Sequence, residues 1–419
     1  MKNFIVTECY GSILISDHES NALSTLQADE LSSYVSRYQL DQDLILISRN
    51  SVSFINYVGF IQLSSCSIEI LPKVSCNEPS QSRRVLLRML ERTGHLDIHE
   101  SQVGQIEYEK MNLFEILAFL FTEKVHKELA RGVLRSYITQ QEELSMVRGR
   151  IDTVLQMRRE HLKSTTVSCI YDEFHSDHLL NRILKAVLRK ITRQSNQLNT
   201  RKRAGHAMMY LDEVTDFIDQ KVLRSNIYFD RRNRRYEECY RLGKLLLSQS
   251  APTSQQGDKK ASSFLFKMND LFESYIAYLA RRLTPHVVIK DRSHKLLIKE
   301  STNRGAFQLE PDLLISGTDG QSMIIDTKWK MIDSFYSRHG VKREDFYQMY
   351  AYLTRYESVG TVILLYPYHD GINRTDGAPL ESWHVEGRRD KRLLVYSIPY
   401  EDEFLALLKL QSIMKGIVE

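Results

Sequence analysis

Two carboxylates and an ammonium group stand at strand ends in the stretch FQLEPDLLISGTDGQSMIIDTKWK, residues 307–330. The apolar runs LLIS and MIID flank a turn-rich SGTDGQS, which predicts two neighbouring strands joined by a hairpin. Asp312, with Glu310 and Pro311 before it, opens the first strand; Asp326-Thr327-Lys328 ends the second. Side chains alternate along a strand, so Asp326 and Lys328 share a face with Thr327 opposed. Asp312 reaches that face from the paired strand. Carboxylate oxygens suit a hard cation such as Mg²⁺, and a lysine beside them suits an attacked phosphate. An Asp-x-Lys alone also decorates the ends of solvated strands, so the order of the surrounding elements matters. A predicted helix follows, KREDFYQMYAYLTRY, in which Gln348 and Tyr352 lie four apart on one face. The Gln348 amide could orient the carboxylates or the backbone of DNA. Upstream, Glu273 lies in FLFKMNDLFESYIAYLARRL, an amphipathic helix, where on pattern alone it reads as a surface acid beside an apolar face.

The elements that must position these groups predict an α+β, mixed chain in four segments. Residues 1–75 read as a β-rich amino-terminal module, from FIVTECYGSILIS to YVGFIQLSSCSIEILPKV. It carries no catalytic constellation and reads as a packing or partner-binding module. Residues 76–246 read as mainly helical. RRVLLRMLERTGHL and NLFEILAFLFTEKVHKELARG have helical spacing, with Asn112 as N-cap and Gly132 as stop for the second. RSYITQQEELSMVRGRIDTVLQMR predicts a β pair around Gly149, which lies between Arg148 and Arg150. Residues 247–263, LSQSAPTSQQGDKKASS, are a linker by composition. Residues 264–419 predict an α/β domain with a central mixed sheet, built from VVIKDRS, KLLIKE, the hairpin, TVILLYPY and RLLVYSIP with a closing helix EDEFLALLKLQSIM.

In HSDHLLNRILKAVLRKITRQ, Leu180, Leu184, Val187, Leu188 and Ile191 form one face, and Arg182, Lys185, Arg189 and Arg193 another. A second basic run, Arg231, Arg232, Arg234 and Arg235, opens the next helix. Both are candidates for contact with a DNA backbone, the alternative being a solvated face or an acidic partner. His175 and His178 lack neighbouring ligands and read as helix-start residues rather than a metal site.

The formal charge of +4 on 419 residues is mild, so nucleic-acid affinity must come from local patches. Five scattered cysteines, none after Cys239 and none in a CxxC pair, argue against structural zinc, an iron–sulfur cluster or a disulfide framework. They fit a reducing cytoplasm. The amino terminus lacks a signal peptide's apolar core, and no apolar run is long enough to predict a membrane span.

The ordered acid, Asp-x-Lys and Gln-x-x-x-Tyr helix resemble the PD-(D/E)XK nucleases. With VRGRID (147–152), DHLLNRILKAVL (177–188), RNRRY (232–236), LEPDLLI, MIIDTKWK, DFYQMYAYL and LLYPYHD, the chain resembles, over residues 110–370, the McrC family, nuclease subunits of McrBC-type modification-dependent restriction systems. The first 75 residues resemble the extra segment of longer members. The resemblance implies a Mg²⁺-dependent DNA endonuclease subunit of a methylcytosine-directed restriction complex. It implies a catalytic set of Asp312, Asp326, Lys328, Glu273 and Gln348, with Asp312 and Asp326 as metal ligands. It also implies a partner: an McrB-like AAA+ GTPase ring that binds GTP, recognises the modified double-stranded DNA and has its hydrolysis stimulated. In agreement, the chain has no G-x-x-x-x-G-K-[ST] loop. No motif here reads methylcytosine. Two alternatives remain open. One is a stand-alone, recombination- or CRISPR-associated nuclease, whose iron–sulfur version the cysteine pattern disfavours. The other is a non-catalytic DNA-binding assembly factor, which the joint presence of Asp312, Asp326 and Lys328 disfavours.

Overall fold

In the amino-terminal region the strands YVGFIQ and CSIEIL are buried on both faces, whereas KNFIVT alternates between buried and exposed positions. In this computed structural model, which describes residues 2–9, 11–37, 45–73, 78–96, 109–159, 165–216, 227–247, 262–317, 320–372 and 377–418, β1 (Lys2–Thr7), β5 (Tyr57–Gln62) and β6 (Cys66–Leu71) share one sheet. Against it packs a small sheet of β2 (Ser12–Leu14), β3 (Ile45–Ile47) and β4 (Ser51–Phe54), together with α1 (Thr25–Arg37). Val52, Phe54, Ile61, Ile68, Leu23 and Leu31 form the common core. The helix α2 (Pro79–Arg92) packs on β6.

The chain divides into two compact units, Met1–Leu96 with Pro252–Glu419, and Asp97–Ala251. This differs from the four-segment reading. The amino-terminal module and the carboxy-terminal domain are one unit, and α2, read as the start of the helical region, belongs to it. The reason is a strand the sequence reading assigned to a helix. SSFLFK forms β10 (Ser262–Lys267), which pairs antiparallel with β5 and completes the order β1-β6-β5-β10. Leu265 stands opposite Gly59, whose φ is +135° and whose absent Cβ would lie 2.1 Å from the Phe264 carbonyl oxygen. Only glycine admits β10 there. Most of the expected linker, 248–261, lies outside the described residues.

The second unit holds α3 (Leu113–Ala130), β7 (Ser136–Leu144), β8 (Arg150–Ile151), α4 (Thr153–Arg159), β9 (Val167–His175), α5 (Leu179–Gln194), α6 (Leu198–Met209) and α7 (Glu237–Leu247). Asn112 caps α3 by accepting the Glu115 amide at 2.9 Å, and Gly132 follows its end at φ +121°. The expected apolar face of α5 is wholly buried, and α3, α5, α6 and α7 pack together. The expected β pair is instead a three-stranded sheet in the order β7-β9-β8. β7 pairs with β9, and TVLQMRR is the helix α4. Gly149 has φ +71°, and a Cβ there would sit 2.4 Å from the Ile170 carbonyl oxygen.

After β10, the first unit continues with α8 (Met268–Leu283), β11 (Val287–Ile289), β12 (Lys295–Lys299), β13 (Arg304–Gln308), β14 (Leu313–Ser316), β15 (Ser322–Thr327), α9 (Arg343–Arg355), β16 (Val359–Pro367), β17 (Glu381–Val385), β18 (Arg388–Ile398) and α10 (Glu403–Val418). A six-stranded sheet runs β11-β14-β15-β16-β18-β17. β15, β16 and β18 are parallel, and β11, β14 and β17 pair antiparallel at the flanks. The chain is thus α+β with a central mixed sheet. KLLIKE is not part of it; as β12 it forms a separate hairpin with β13. The crossover helix α9 lays Met349, Tyr352 and Leu353 over Ile324, Val362 and Leu364. α8 and α10 pack on one another and touch β15 and β18 respectively. Among the described residues no helix is long and apolar enough to cross a membrane.

Candidate active site

The hairpin forms as expected, and its register sets the acids. Leu313 pairs with Ile325, which puts Asp312 opposite Asp326 one residue on. Asp312 is fixed by its neighbour strand: its Oδ2 accepts the Thr327 amide and the Thr327 hydroxyl, each at 2.7 Å. Asp326 shares the face of Ile324, turned toward α9. Lys328 follows β15, and its Nζ lies 2.5 Å from Asp326 Oδ2. The same ammonium donates to Gln348 Oε1 at 3.0 Å, and Gln348 Nε2 donates to the Tyr352 hydroxyl at 2.9 Å. One turn of α9 therefore carries both the group that holds Lys328 and the group that fixes that holder's amide.

Asp326 is 1 % exposed. Despite the nearby ammonium, neither of its oxygens has a well-directed hydrogen bond. Burial, then the Asp312 charge, push its carboxyl above the usual range, and Lys328 opposes that shift. Burial alone would depress Lys328, but the Asp326 carboxylate outweighs it and leaves the ammonium strengthened. Glu273, on α8, faces the same charges. Burial and then Asp312 push it up to about 7, while its ion pair with Lys290 at 3.3 Å pulls it down. Of the expected set, Asp312, Asp326, Lys328 and Gln348 are brought together; Glu273 contacts Lys290 and feels the Asp312 charge. Among the described residues no three His, Cys, Asp or Glu side chains form a ready metal cage. The donor set is the one Mg²⁺ uses when phosphate and water complete its shell: one or two carboxylates, here including a buried one whose Oδ1 has no partner.

Support comes from residues the sequence reading passed over. Trp329, next to Lys328, is bracketed from the amino-terminal module. Its indole donates to Glu8, and its carbonyl accepts Lys73 Nζ at 3.3 Å. Glu8 is fully buried and its carboxyl is raised by that burial, with Lys73 opposing. No local sequence signal ties Glu8 or Lys73 to position 329. On the other side, Lys330 makes a two-point pair with Asp345 at 2.8 and 2.9 Å, and Tyr366 donates to the same carboxylate at 3.2 Å.

The basic face of α5 is largely committed internally. Arg182 pairs with Asp177, which that guanidinium and Thr215 hold far below the usual carboxylate range. Lys185 is buried and donates to the Val214 carbonyl at 2.6 Å. Arg189 pairs with Asp216. Arg193 is exposed. Arg231, Arg232, Arg234 and Arg235 are exposed as a group, Arg235 donating to the Gly132 carbonyl and lying over the Tyr236 ring. His175 and His178 accept the amides of Asp177 and Leu180 at 2.8 and 3.1 Å, and His178 is the N-cap of α5.

The fold has close counterparts. The chain is similar to one in the structure described as a "refined half-complex from tetradecameric assembly of Thermococcus gammatolerans McrB AAA+ hexamers with bound McrC". There the TM-score is 0.76 at 19 % identity, over 98 % of this chain and 100 % of that one. It is also similar to a chain in the cryo-EM structure of the Thermococcus gammatolerans McrBC complex, with a TM-score of 0.54 at 23 % identity, over 67 % and 88 % of the two chains. At these identities the likeness is one of fold. No curated protein matches. The family model for McrBC 5-methylcytosine restriction system components matches residues 52–367, from β4 through the catalytic-type hairpin to the end of β16. That span is well over half of the chain, and the chain belongs to the McrBC 5-methylcytosine restriction system component family.

Proposed function

We propose that this chain is the cutting subunit of a modification-dependent restriction complex, a Mg²⁺-dependent endodeoxyribonuclease that works with an McrB-like AAA+ GTPase ring. The observation that carries the reading is the buried Asp326 carboxylate without directed hydrogen bonds, opposite Asp312 and against Lys328. Lys328 answers one of these two facing carboxylates, and the Asp312 charge opposite still pushes Asp326 up, which leaves a second cation favoured between them. Asp312 and Asp326 would hold the ion, with Glu273 a further acid within reach of the Asp312 charge. Bound Mg²⁺ supplies charge neutralisation at the phosphate and lowers the pKa of a coordinated water.

The protein's own groups do the rest. Lys328, kept protonated by Asp326 and aimed by Gln348, offsets the charge that develops on the phosphate oxygens. Thr327 pins one oxygen of Asp312, so its carboxylate is oriented before substrate arrives. Trp329, gripped by Glu8 and Lys73, fixes the chain immediately after Lys328. The exposed arginines at 231–235 and Arg193 remain the DNA-backbone candidates; Arg182, Lys185 and Arg189 are better explained as structural cations. The partner reading rests on the family, on the absence of a phosphate-cradling loop and on the like-folded chain from the Thermococcus gammatolerans McrB–McrC assembly. GTP would be bound by that partner, and a cytoplasmic setting fits the cysteine pattern.

The test is cleavage of methylated and unmethylated plasmid with purified partner, GTP and Mg²⁺. Asp326→Ala is expected to abolish cutting and to leave co-purification with the ring intact. Full cutting by that variant would overturn the site. Efficient cutting without any partner would overturn the partner assignment and leave the nuclease one standing.

A further inference from the structure

A second feature of the same unit has no part in holding the acids. Between Trp329 and α9 the chain leaves the sheet and returns, and both feet of this excursion stand in the candidate site. Lys328 precedes it and touches Gln348, which follows it. The Lys330–Asp345 pair closes its base. The excursion is therefore held beside the Asp312–Asp326–Lys328 cluster by topology and by two side-chain contacts.

Its tip is aromatic and basic. Phe335 is 89 % exposed and Tyr336 62 % exposed, their rings meeting edge to face at 5.6 Å. Arg338, Lys342 and Arg343 are exposed in the same segment, which has no acid between Asp333 and Glu344. Exposing two large rings to water is unfavourable, and such rings are usually folded inward. Here the backbone holds them out. Asp333 Oδ1 accepts the Phe335 amide at 2.8 Å, the Ser334 amide donates to the Gly371 carbonyl at 3.1 Å, and His369 meets the Ile332 carbonyl at 2.6 Å. His339 pairs with Glu381 of β17 at 3.0 Å. Arg338 and His339 are both left-handed, at φ 55° and 52°, a conformation non-glycine residues rarely adopt in succession. The strained turn and the cross-braces present the rings from a fixed platform.

Exposed aromatic rings in a short segment with exposed cations suit contact with bases and flanking phosphates. We propose that the 333–343 loop is a DNA-engaging wedge: Phe335 and Tyr336 stack on bases exposed at a distorted step beside the cleavage point, and Arg338, Lys342 and Arg343 take the adjoining phosphates. This rests on the nuclease reading for the identity of the ligand. A protein partner would suit the rings but leaves the cations unexplained, whereas DNA accounts for both.

The experiment uses the full chain with its ring partner and a methylated duplex carrying 2-aminopurine near the cut position. Binding and fluorescence are read without Mg²⁺ and cleavage with it. The double variant Phe335→Ala/Tyr336→Ala is expected to lose the fluorescence increase that reports unstacking and to bind about tenfold more weakly. Arg338→Gln/Lys342→Gln/Arg343→Gln is expected to keep the fluorescence increase at saturating protein but to flatten the salt dependence of binding. Phe404→Ala, an exposed ring on α10, serves as the control. An unchanged fluorescence signal and affinity in the aromatic variant overturns the wedge, as does a variant that loses only ring-partner assembly. Normal Asp326-dependent cutting alongside that result would leave the nuclease reading intact. Loss of the base signal in a chain that never cuts would instead sink the nuclease reading and spare the wedge.

Discussion

At the scale of single residues, the site is defined by charge that burial makes expensive. Glu273 shows the sign. An unfolded glutamate ionises near its ordinary value of 4.5, whereas in the folded chain it does so at about 7. Between those values the folded state holds a proton the unfolded state has lost, so the stability this group contributes is fully present below 4.5 and is lost as pH rises through 7. Asp326 is shifted in the same direction. Without divalent cation, the thermal midpoint should therefore fall as pH is raised from about 5 to about 8. Asp326→Asn should flatten that fall, which calorimetry across the pH series will show. Mg²⁺ added at the alkaline end should raise the wild-type midpoint and leave Asp326→Asn unmoved, since a ligand of the native state stabilises only where its site exists. Asp312, Asp326, Lys328 and Gln348 were legible in the sequence because strand alternation and the helical turn are local rules. Glu8 and Lys73 were not, because they meet Trp329 only through the folded sheet.

At the scale of elements, the same contrast recurs. The apolar face of α5 was readable from spacing, and Leu184→Ala there should cost about 2–5 kcal/mol of the second unit's stability, measured by denaturant midpoint. What spacing did not disclose is where the opposite face goes: Arg182, Lys185 and Arg189 satisfy Asp177, Asp216 and loop carbonyls. Periodicity reports amphipathicity, not partners. β10 escaped for a related reason. Its pattern is short, and the edge it completes is formed by residues near the other end of the chain. Gly59→Val should block that edge by steric collision with Phe264. We expect a loss of about 1–3 kcal/mol from overpacking, and more from the disfavoured φ. Cleavage should weaken with it, although no residue of the site has changed.

At the scale of the whole molecule, the division into segments was the least legible feature, since a unit built from both chain ends leaves no compositional boundary. Its consequence can be measured. A fragment of residues 264–419 contains every acid of the site, yet it lacks β5, α2, Glu8 and Lys73, and with them the partners of α8 and Trp329. It should fail to unfold cooperatively in urea, whereas a fragment joined to residues 1–96 should do so.

The grip of Glu8 and Lys73 on Trp329 also bears on synthesis. The amino-terminal strands leave the ribosome first and must wait, with one sheet edge open, until β10 and Trp329 emerge after the intervening unit has been made. If the chain cuts as proposed, its site would be complete only once Trp329 and α9 have been made. On the proposed nuclease reading, a chain that stops before Trp329 would lack the brace beside Lys328, which would keep such partial products from cutting.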